Sequence, residues 1–274
     1  GQTYRPGFAI IGYGKLGGIE LGYGSDLDLV FLHDSEGEDT VTDGGKSIDN
    51  SLFFARLAQK VIHLLNTRTQ AGILYEVDTR LRPDGASGLL VSSIHAYEDY
   101  QRHHAWTWEI QALVRARFIA GNPDIQARFE ALRCAVLCQE RDPEALRQDV
   151  IQMRQKMRAE DKALSSELFH LKKGCGGITD IEFIVQYLLL AHAHRHPTLV
   201  HYTDNIRQLE ALAAANILTQ AQSQALIDAY RALRDAGHAQ VLKGESALVP
   251  KVRFQAYWQP VIEIWRHIFK SAPC

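Results

Sequence analysis

Two aspartates, Asp26 and Asp28, stand in an otherwise apolar run after a glycine-rich turn, and no other feature constrains the fold as strongly. Leu27 and residues 29–32 are apolar, which predicts a strand that helices cover on both faces. Alternate residues of a strand point to the same side, so the two carboxylates lie next to each other. They repel each other and are costly to desolvate, and a divalent cation removes that penalty. We therefore favour a metal site over the solvated strand end on which an Asp-X-Asp pair is more common.

The turn before this strand has the composition of a phosphate-binding loop. Residues 8–12 are predicted to form a strand and residues 16–21 a short helix, with Gly14 and Lys15 at the turn between them. Glycine lets the backbone approach a phosphate, the start of a helix attracts an anion, and lysine adds a positive charge. The glycine spacing also fits a dinucleotide-binding fingerprint. That alternative uses one acid on a ribose and leaves two adjacent aspartates without a role.

A second predicted strand supplies a third carboxylate. Polar and apolar residues alternate from Gly72 to Pro83, which places Glu76, Asp78, Arg80 and Arg82 on one face. Asp78 beside the aspartate pair completes a triad that is able to hold two metal ions. The two arginines are expected to neutralise phosphate oxygens. The alternative is a sheet edge with cross-strand ion pairs, in which Glu76 is only a partner for the arginines.

Four motifs carry a resemblance to a known family, and together they extend through nearly the whole chain. They are residues 12–32, 76–83, 108–117 and 176–186. In these segments the chain resembles the bifunctional glutamine synthetase adenylyltransferase/adenylyl-removing enzymes, whose long polypeptide contains two related nucleotidyltransferase halves. In that family, one half attaches AMP to a tyrosine of glutamine synthetase and the other removes it by phosphorolysis. The 274 residues suffice for one half, and the start without Met is that expected of an excised domain.

The motifs are more similar to the C-terminal, AMP-attaching half, and the removing half is the alternative because both share the triad. The resemblance implies that Asp26 and Asp28 bind two magnesium ions, or manganese, and that Asp78 binds the catalytic one. ATP is the implied substrate and glutamine synthetase the implied acceptor, with PII signalling protein and glutamine as regulators. The residues expected around the phosphates are Gly14, Lys15, Arg80, Arg82, Arg115 and Arg117.

Composition and charge argue against several other functional classes. A net charge of −2 argues against a template-independent nucleic-acid nucleotidyltransferase, which uses the same carboxylates beside a basic groove. No apolar run reaches the roughly 18 residues of a membrane span, and we expect a cytoplasmic protein. The four cysteines form no metal-binding pattern, so reduced thiols are expected. A nucleotide-binding regulatory module without catalysis is a further alternative, although such a module does not need all three aspartates.

The sequence pattern changes near residue 120. Residues 1–120 are predicted to form an α+β nucleotidyltransferase catalytic domain of the DNA polymerase β-like kind, with a mixed sheet and helices. The longest helix there spans residues 51–67, and residues 34–49 are predicted to be a mobile loop. Residues 121–274 are predicted to form an all-helical bundle domain. Its expected helices are residues 143–161, 178–194, 203–215, 219–243 and 254–268.

Overall fold

The computed structural model describes residues 6–35, 41–43, 45–159 and 167–271. Much of the predicted loop over residues 34–49 lies outside these ranges. The chain divides into two compact units, Gly1–Val136 and Leu137–Cys274. No helix within the described ranges is both long and apolar enough to cross a membrane.

The first unit is built on a mixed sheet, as the sequence predicts. Strand β1 (Phe8–Gly12) runs antiparallel to β2 (Leu27–His33), with Phe8 opposite His33 and Gly12 opposite Leu29. Strand β7 (Arg117–Gly121) extends the sheet antiparallel to β1.

The far edge of β2 pairs in parallel with two short strands, β5 (Val77–Asp78) at its start and β6 (Val91–Ser93) at its end. A separate hairpin joins β3 (Arg68–Thr69) to β4 (Gly72–Ile73). The sequence had predicted one continuous strand from Gly72 to Pro83, and this prediction is wrong.

The described part of this unit contains five α-helices. They are α1 (Gly14–Gly17), α2 (Asn50–Asn66), α3 (Ile94–His103), α4 (Thr107–Leu113) and α5 (Pro123–Leu137). Asp49 caps α2 by accepting from the Ser51 backbone N–H at 2.7 Å. One core cluster joins β2, α2 and β6, and consists of Leu27, Leu29, Phe31, Phe54, Ala58 and Val91.

Helix α5 belongs to the first unit, although the sequence placed the domain boundary before it. The Phe129 ring lies 6.2 Å from the Tyr97 ring of α3, measured between centroids. The buried Arg133 donates to the backbone oxygens of Leu113 at 3.1 Å and Val114 at 2.6 Å. These contacts join α5 to α3 and α4, so the structure divides after Val136 rather than near residue 120.

The second unit is mainly helical. Its helices are α6 (Pro143–Ala159), α7 (Ile178–His192), α8 (Asn205–Ala214), α9 (Gln220–Leu242) and α10 (Gln255–Phe269), close to the predicted ranges. It also contains an antiparallel pair, β8 (Leu168–His170) and β9 (Leu248–Pro250), so the prediction of an all-helical bundle needs correction. Strands of three residues are too short to produce a recognisable alternation in sequence.

Among the cysteines that the structure describes, one differs from expectation; Cys274 lies outside the described residues. Cys134 and Cys138 are free, as predicted. Cys175 is disulfide-bonded, so the prediction of a reduced thiol is wrong there.

Candidate active site

The structure brings the three predicted carboxylates together in the first unit. Asp28 and Asp78 are direct neighbours in the parallel register of β2 and β5, and Asp26 lies just before β2. One carboxylate oxygen from each aspartate can be chosen so that all three lie within 4.8 Å of one another. The pairing of these strands therefore brings together three negatively charged side chains that lie up to 52 positions apart in sequence (78 − 26).

This donor set fits divalent magnesium or manganese. Carboxylate oxygens are the hard ligands that such ions prefer, at about 2.0–2.1 Å for magnesium. Two such ions, if bound, would be held by these carboxylates and would supply charge neutralisation to a phosphate substrate. Asp28 and Asp78 are half-buried and Asp26 is exposed, so an ion has a route from solvent.

Arg80 binds Asp78 through both its main chain and its side chain. Its backbone N–H donates to Asp78 Oδ1 at 2.8 Å, and its Nε lies 3.0 Å from Oδ1 and 2.8 Å from Oδ2. A terminal guanidinium nitrogen also donates to Oδ2. The side-chain hydrogen bonds from Arg80 are the largest cause that lowers the pKa of Asp78. Asp78, with smaller contributions from Asp26 and Asp28, raises the pKa of the Arg80 guanidinium.

The glycine turn lies directly against the carboxylates. The Tyr13 backbone N–H donates to the Asp28 backbone oxygen at 2.9 Å, which fixes the start of the turn on β2. Gly14 follows with φ of +52°, and a Cβ at this position would collide with Asp28 Oδ2. Only glycine combines this left-handed backbone with such a close approach. Lys15 is the next residue and is half-buried in the first turn of α1, which begins at Gly14 rather than at the predicted residue 16.

Replacing Gly14 by alanine should weaken Mn²⁺ binding by about tenfold, because the new methyl group displaces the Asp28 carboxylate. The left-handed backbone adds a stability cost of about 1–2 kcal/mol. Gly244→Ala is the matched control, since Gly244 has φ of +69° with nothing within 4 Å of its Cβ position. Calorimetric titration with Mn²⁺ and urea unfolding separate the two effects. Equal losses of metal affinity in both variants would contradict the steric explanation.

Two predicted phosphate ligands, Arg115 and Arg117, make their observed contacts within the protein. Arg115 is buried and forms an ion pair with Glu20, whose side chain is 10% exposed. Arg117 donates to the backbone oxygens of Leu16 at 3.0 Å and Gly17 at 3.1 Å. Both guanidinium groups therefore hold the chain around α1. Glu20 cannot be identified as the partner of Arg115 from sequence, because an acid in a glycine-rich loop gives no sign of a partner 95 positions away.

Arg82 is also occupied by backbone oxygens. It donates to the backbone oxygen of Thr79 at 2.7 Å, to that of Ala86 at 3.1 Å and to that of Gly88 at 3.2 Å. The chain turns after Asp78 and Asp84 takes a left-handed conformation with φ of +58°, so Arg80 and Arg82 do not share a strand face. The structure places Arg80 at the carboxylates and uses Arg82 to hold the following turn.

A buried pair of tyrosines supports the glycine turn from inside the unit, and no sequence pattern indicates this pair. The Tyr13 and Tyr97 hydroxyl groups form a hydrogen bond, and both side chains are almost completely buried. Burial is the largest cause that raises the pKa of each phenol. Tyr13 immediately precedes Gly14, so this bond ties the position of the turn to α3.

The last of the four motifs places a buried carboxylate in the second unit. Asp180 of α7 has no exposed surface and accepts from Arg154 Nε at 2.7 Å and from Gly176 N at 2.7 Å. A terminal nitrogen of Arg158 lies 2.6 Å and 2.8 Å from its two oxygens. Solvent does not reach Asp180, and its bond to the Gly176 N–H holds the loop before α7.

Comparison with known proteins gives two family matches. Residues 1–132 match the model described as glutamate-ammonia ligase adenylyltransferase. Residues 144–246 match the model described as GlnD PII-uridylyltransferase.

Curated relatives match almost the whole chain. The protein from Thioalkalivibrio sulfidiphilus is 54% identical over 99% of this chain, and the one from Nitrosococcus oceani is 53% identical over 98%. The protein from Pseudomonas aeruginosa is 50% identical over 98%. All three are named bifunctional glutamine synthetase adenylyltransferase/adenylyl-removing enzyme, and the chain spans 28% of the length of each.

Proposed function

The chain belongs to the family of bifunctional glutamine synthetase adenylyltransferase/adenylyl-removing enzymes, and on this premise we propose that it transfers AMP from ATP to a tyrosine of glutamine synthetase. The observation that carries the proposal is the convergence of Asp26, Asp28 and Asp78 beside the glycine turn. A phosphate-accepting turn next to a cluster of hard oxygen ligands suits the transfer of a nucleotidyl group.

Each residue has a proposed part in this reaction. The three aspartates hold divalent ions, magnesium or manganese, which when bound supply charge neutralisation at the phosphates and lower the pKa of the attacking hydroxyl. Lys15 and the backbone at Gly14 hold the triphosphate, together with Arg80. Arg82, Arg115 and Arg117 act indirectly, through the turn and loop that they bind.

The chemistry needs position and charge rather than an enzyme nucleophile. The tyrosine oxygen attacks the α-phosphorus in line, the bond from that phosphorus to the bridging oxygen breaks, and pyrophosphate leaves. The hydroxyl proton goes to solvent, and the product is a phosphodiester between AMP and tyrosine. The protein contributes a rigid turn, anchored at Asp28 and Tyr97, against which the phosphates are aligned.

The alternative is removal of AMP by phosphorolysis of adenylyl-tyrosine on glutamine synthetase, in which phosphate attacks the phosphorus, the tyrosine oxygen leaves, and ADP forms. A carboxylate triad serves both directions equally, so the geometry favours neither. The residue identities in the sequence motifs support attachment of AMP over its removal. A non-catalytic nucleotide-binding module is a further candidate. Regulation by PII protein and by glutamine stays a prediction.

The test follows labelled AMP. With ATP labelled in the α-phosphate, magnesium and purified glutamine synthetase, we expect label on the synthetase from the wild-type chain and none from Asp78→Asn. Synthetase with its acceptor tyrosine replaced by phenylalanine controls for other sites. If no label appears, adenylylated synthetase and phosphate are supplied instead, and release of ADP would identify the removing activity. Absence of product in both assays would leave the regulatory module.

A further inference from the structure

The bonds from Arg80 fill the acceptor positions of the Asp78 carboxylate. An ionised carboxylate offers about two lone-pair directions at each oxygen. At Oδ1 these directions meet the backbone N–H and the Nε of Arg80, and at Oδ2 they meet the Nε and a terminal nitrogen. A metal ion that uses Asp78 therefore has to replace at least one guanidinium bond. The backbone bond to Oδ1 does not need to break.

The charges at the site favour such an exchange. Three carboxylates carry three negative charges within a few ångströms, and the Arg80 guanidinium offsets one of them. Two divalent ions, if bound, would bring four positive charges and would weaken the net attraction of the guanidinium to Asp78. The Arg80 side chain is 77% exposed, so it can rotate without disturbing the core. The proposed reaction brings a triphosphate to the site, and its phosphate oxygens are an alternative anionic partner for the Arg80 guanidinium.

We propose that Arg80 is an exchangeable counter-ion, which occupies Asp78 in the metal-free protein and moves to the nucleotide phosphates when metal ions bind. This inference rests on the proposed function, because it takes the aspartate cluster as the metal site. Arg80 then has opposite effects on two ligands, since it competes with the metal and assists the nucleotide. A purely structural role affects both ligands in the same direction, and a simple phosphate ligand affects only the nucleotide.

The first measurement is Mn²⁺ binding to the full chain without nucleotide, followed by the electron paramagnetic resonance signal of free Mn²⁺. Arg80→Gln should bind Mn²⁺ about three- to tenfold more tightly than the wild type, as expected from losing one partly screened competing charge. Arg56→Gln is the matched control, because Arg56 is an exposed arginine on α2 and its replacement changes the net charge equally. It should leave the affinity unchanged. Arg80→Lys keeps the charge but not the forked guanidinium donors, so its Mn²⁺ affinity should lie between those of the wild type and Arg80→Gln.

The second measurement is ATP binding with Mn²⁺ at saturation and no acceptor protein, by calorimetry. Here Arg80→Gln should weaken binding by about tenfold through loss of a charge-assisted bond. Mn²⁺ binding that is unchanged or weaker in Arg80→Gln would overturn the proposal, as would undiminished ATP affinity. A wild type and variant that both fail to bind Mn²⁺ would refute the metal site and the proposed function as well. Mn²⁺ binding by Arg80→Gln but not by the wild type would be the strongest support for the proposed exchange.

Discussion

Replacing Asp26 by asparagine should lower the rate of AMP transfer by about 1000-fold while leaving the protein as stable as the wild type. Asp26 is exposed and belongs to the carboxylate cluster, so asparagine removes a charged residue of the proposed metal site without opening a cavity. The amide is a neutral and weaker ligand than a carboxylate, so the proposed metal site would keep two of its three carboxylates. We expect the free energy of unfolding to change by less than about 0.5 kcal/mol, as for other exposed positions.

The measurement pairs the labelled transfer assay with urea unfolding, and Asp99→Asn serves as the control. Asp99 is an exposed aspartate on α3, 3.5 Å from His104, and it is not part of the cluster. Its replacement should leave the rate within about twofold, because an exposed ion pair contributes little. A rate for Asp26→Asn within tenfold of the wild type would show that the cluster is not the catalytic metal site. Loss of the unfolding transition would show instead that Asp26 has a structural role.

The aspartate pair and the glycine turn can be predicted from the sequence because they depend on short-range patterns. The apolar run around Asp26 and Asp28 defines β2, and the glycine turn defines the chain reversal before it. The approach of Asp78 depends on the pairing of β5 with β2, whose register places Asp78 opposite Asp28. Periodicity and turn chemistry act within a few residues, so they can be read along the chain.

The observed contacts of the arginines could not be predicted from sequence, because their partners are distant along the chain or are backbone atoms. Nothing near Arg115 in sequence indicates Glu20, and Arg117 binds the carbonyls of Leu16 and Gly17 some 100 positions away. The spacing of Arg80 and Arg82 is that of a strand, but the turn that follows Asp78 uses Arg82 to satisfy its own carbonyls. Buried carbonyl groups require donors, and the fold decides which arginine supplies them.

Replacing Asp180 by asparagine should destabilise the second unit by about 3–5 kcal/mol, the largest stability effect we predict. Asp180 is fully buried and compensates Arg154, which is 1% exposed, and Arg158. The neutral amide leaves two guanidinium groups facing each other without an anion. Burial already lowers the pKa of the Arg158 guanidinium, which indicates that its charge is costly in this position. The loop before α7 also loses the strong acceptor of the Gly176 N–H.

Urea unfolding and hydrogen exchange of the α7 amides measure this loss of stability, and two further variants serve as comparisons for its size. Arg158→Gln should cost clearly less, since Arg154 remains paired and the Arg158 side chain is 18% exposed. Asp228→Asn on the exposed face of α9 should cost less than about 0.5 kcal/mol, although it also replaces a carboxylate in the second unit. The expected order of destabilisation is therefore Asp180, Arg158 and Asp228. An Asp180→Asn variant no less stable than Arg158→Gln would mean that the two arginines tolerate burial without the carboxylate, and that the loop before α7 is held by other contacts.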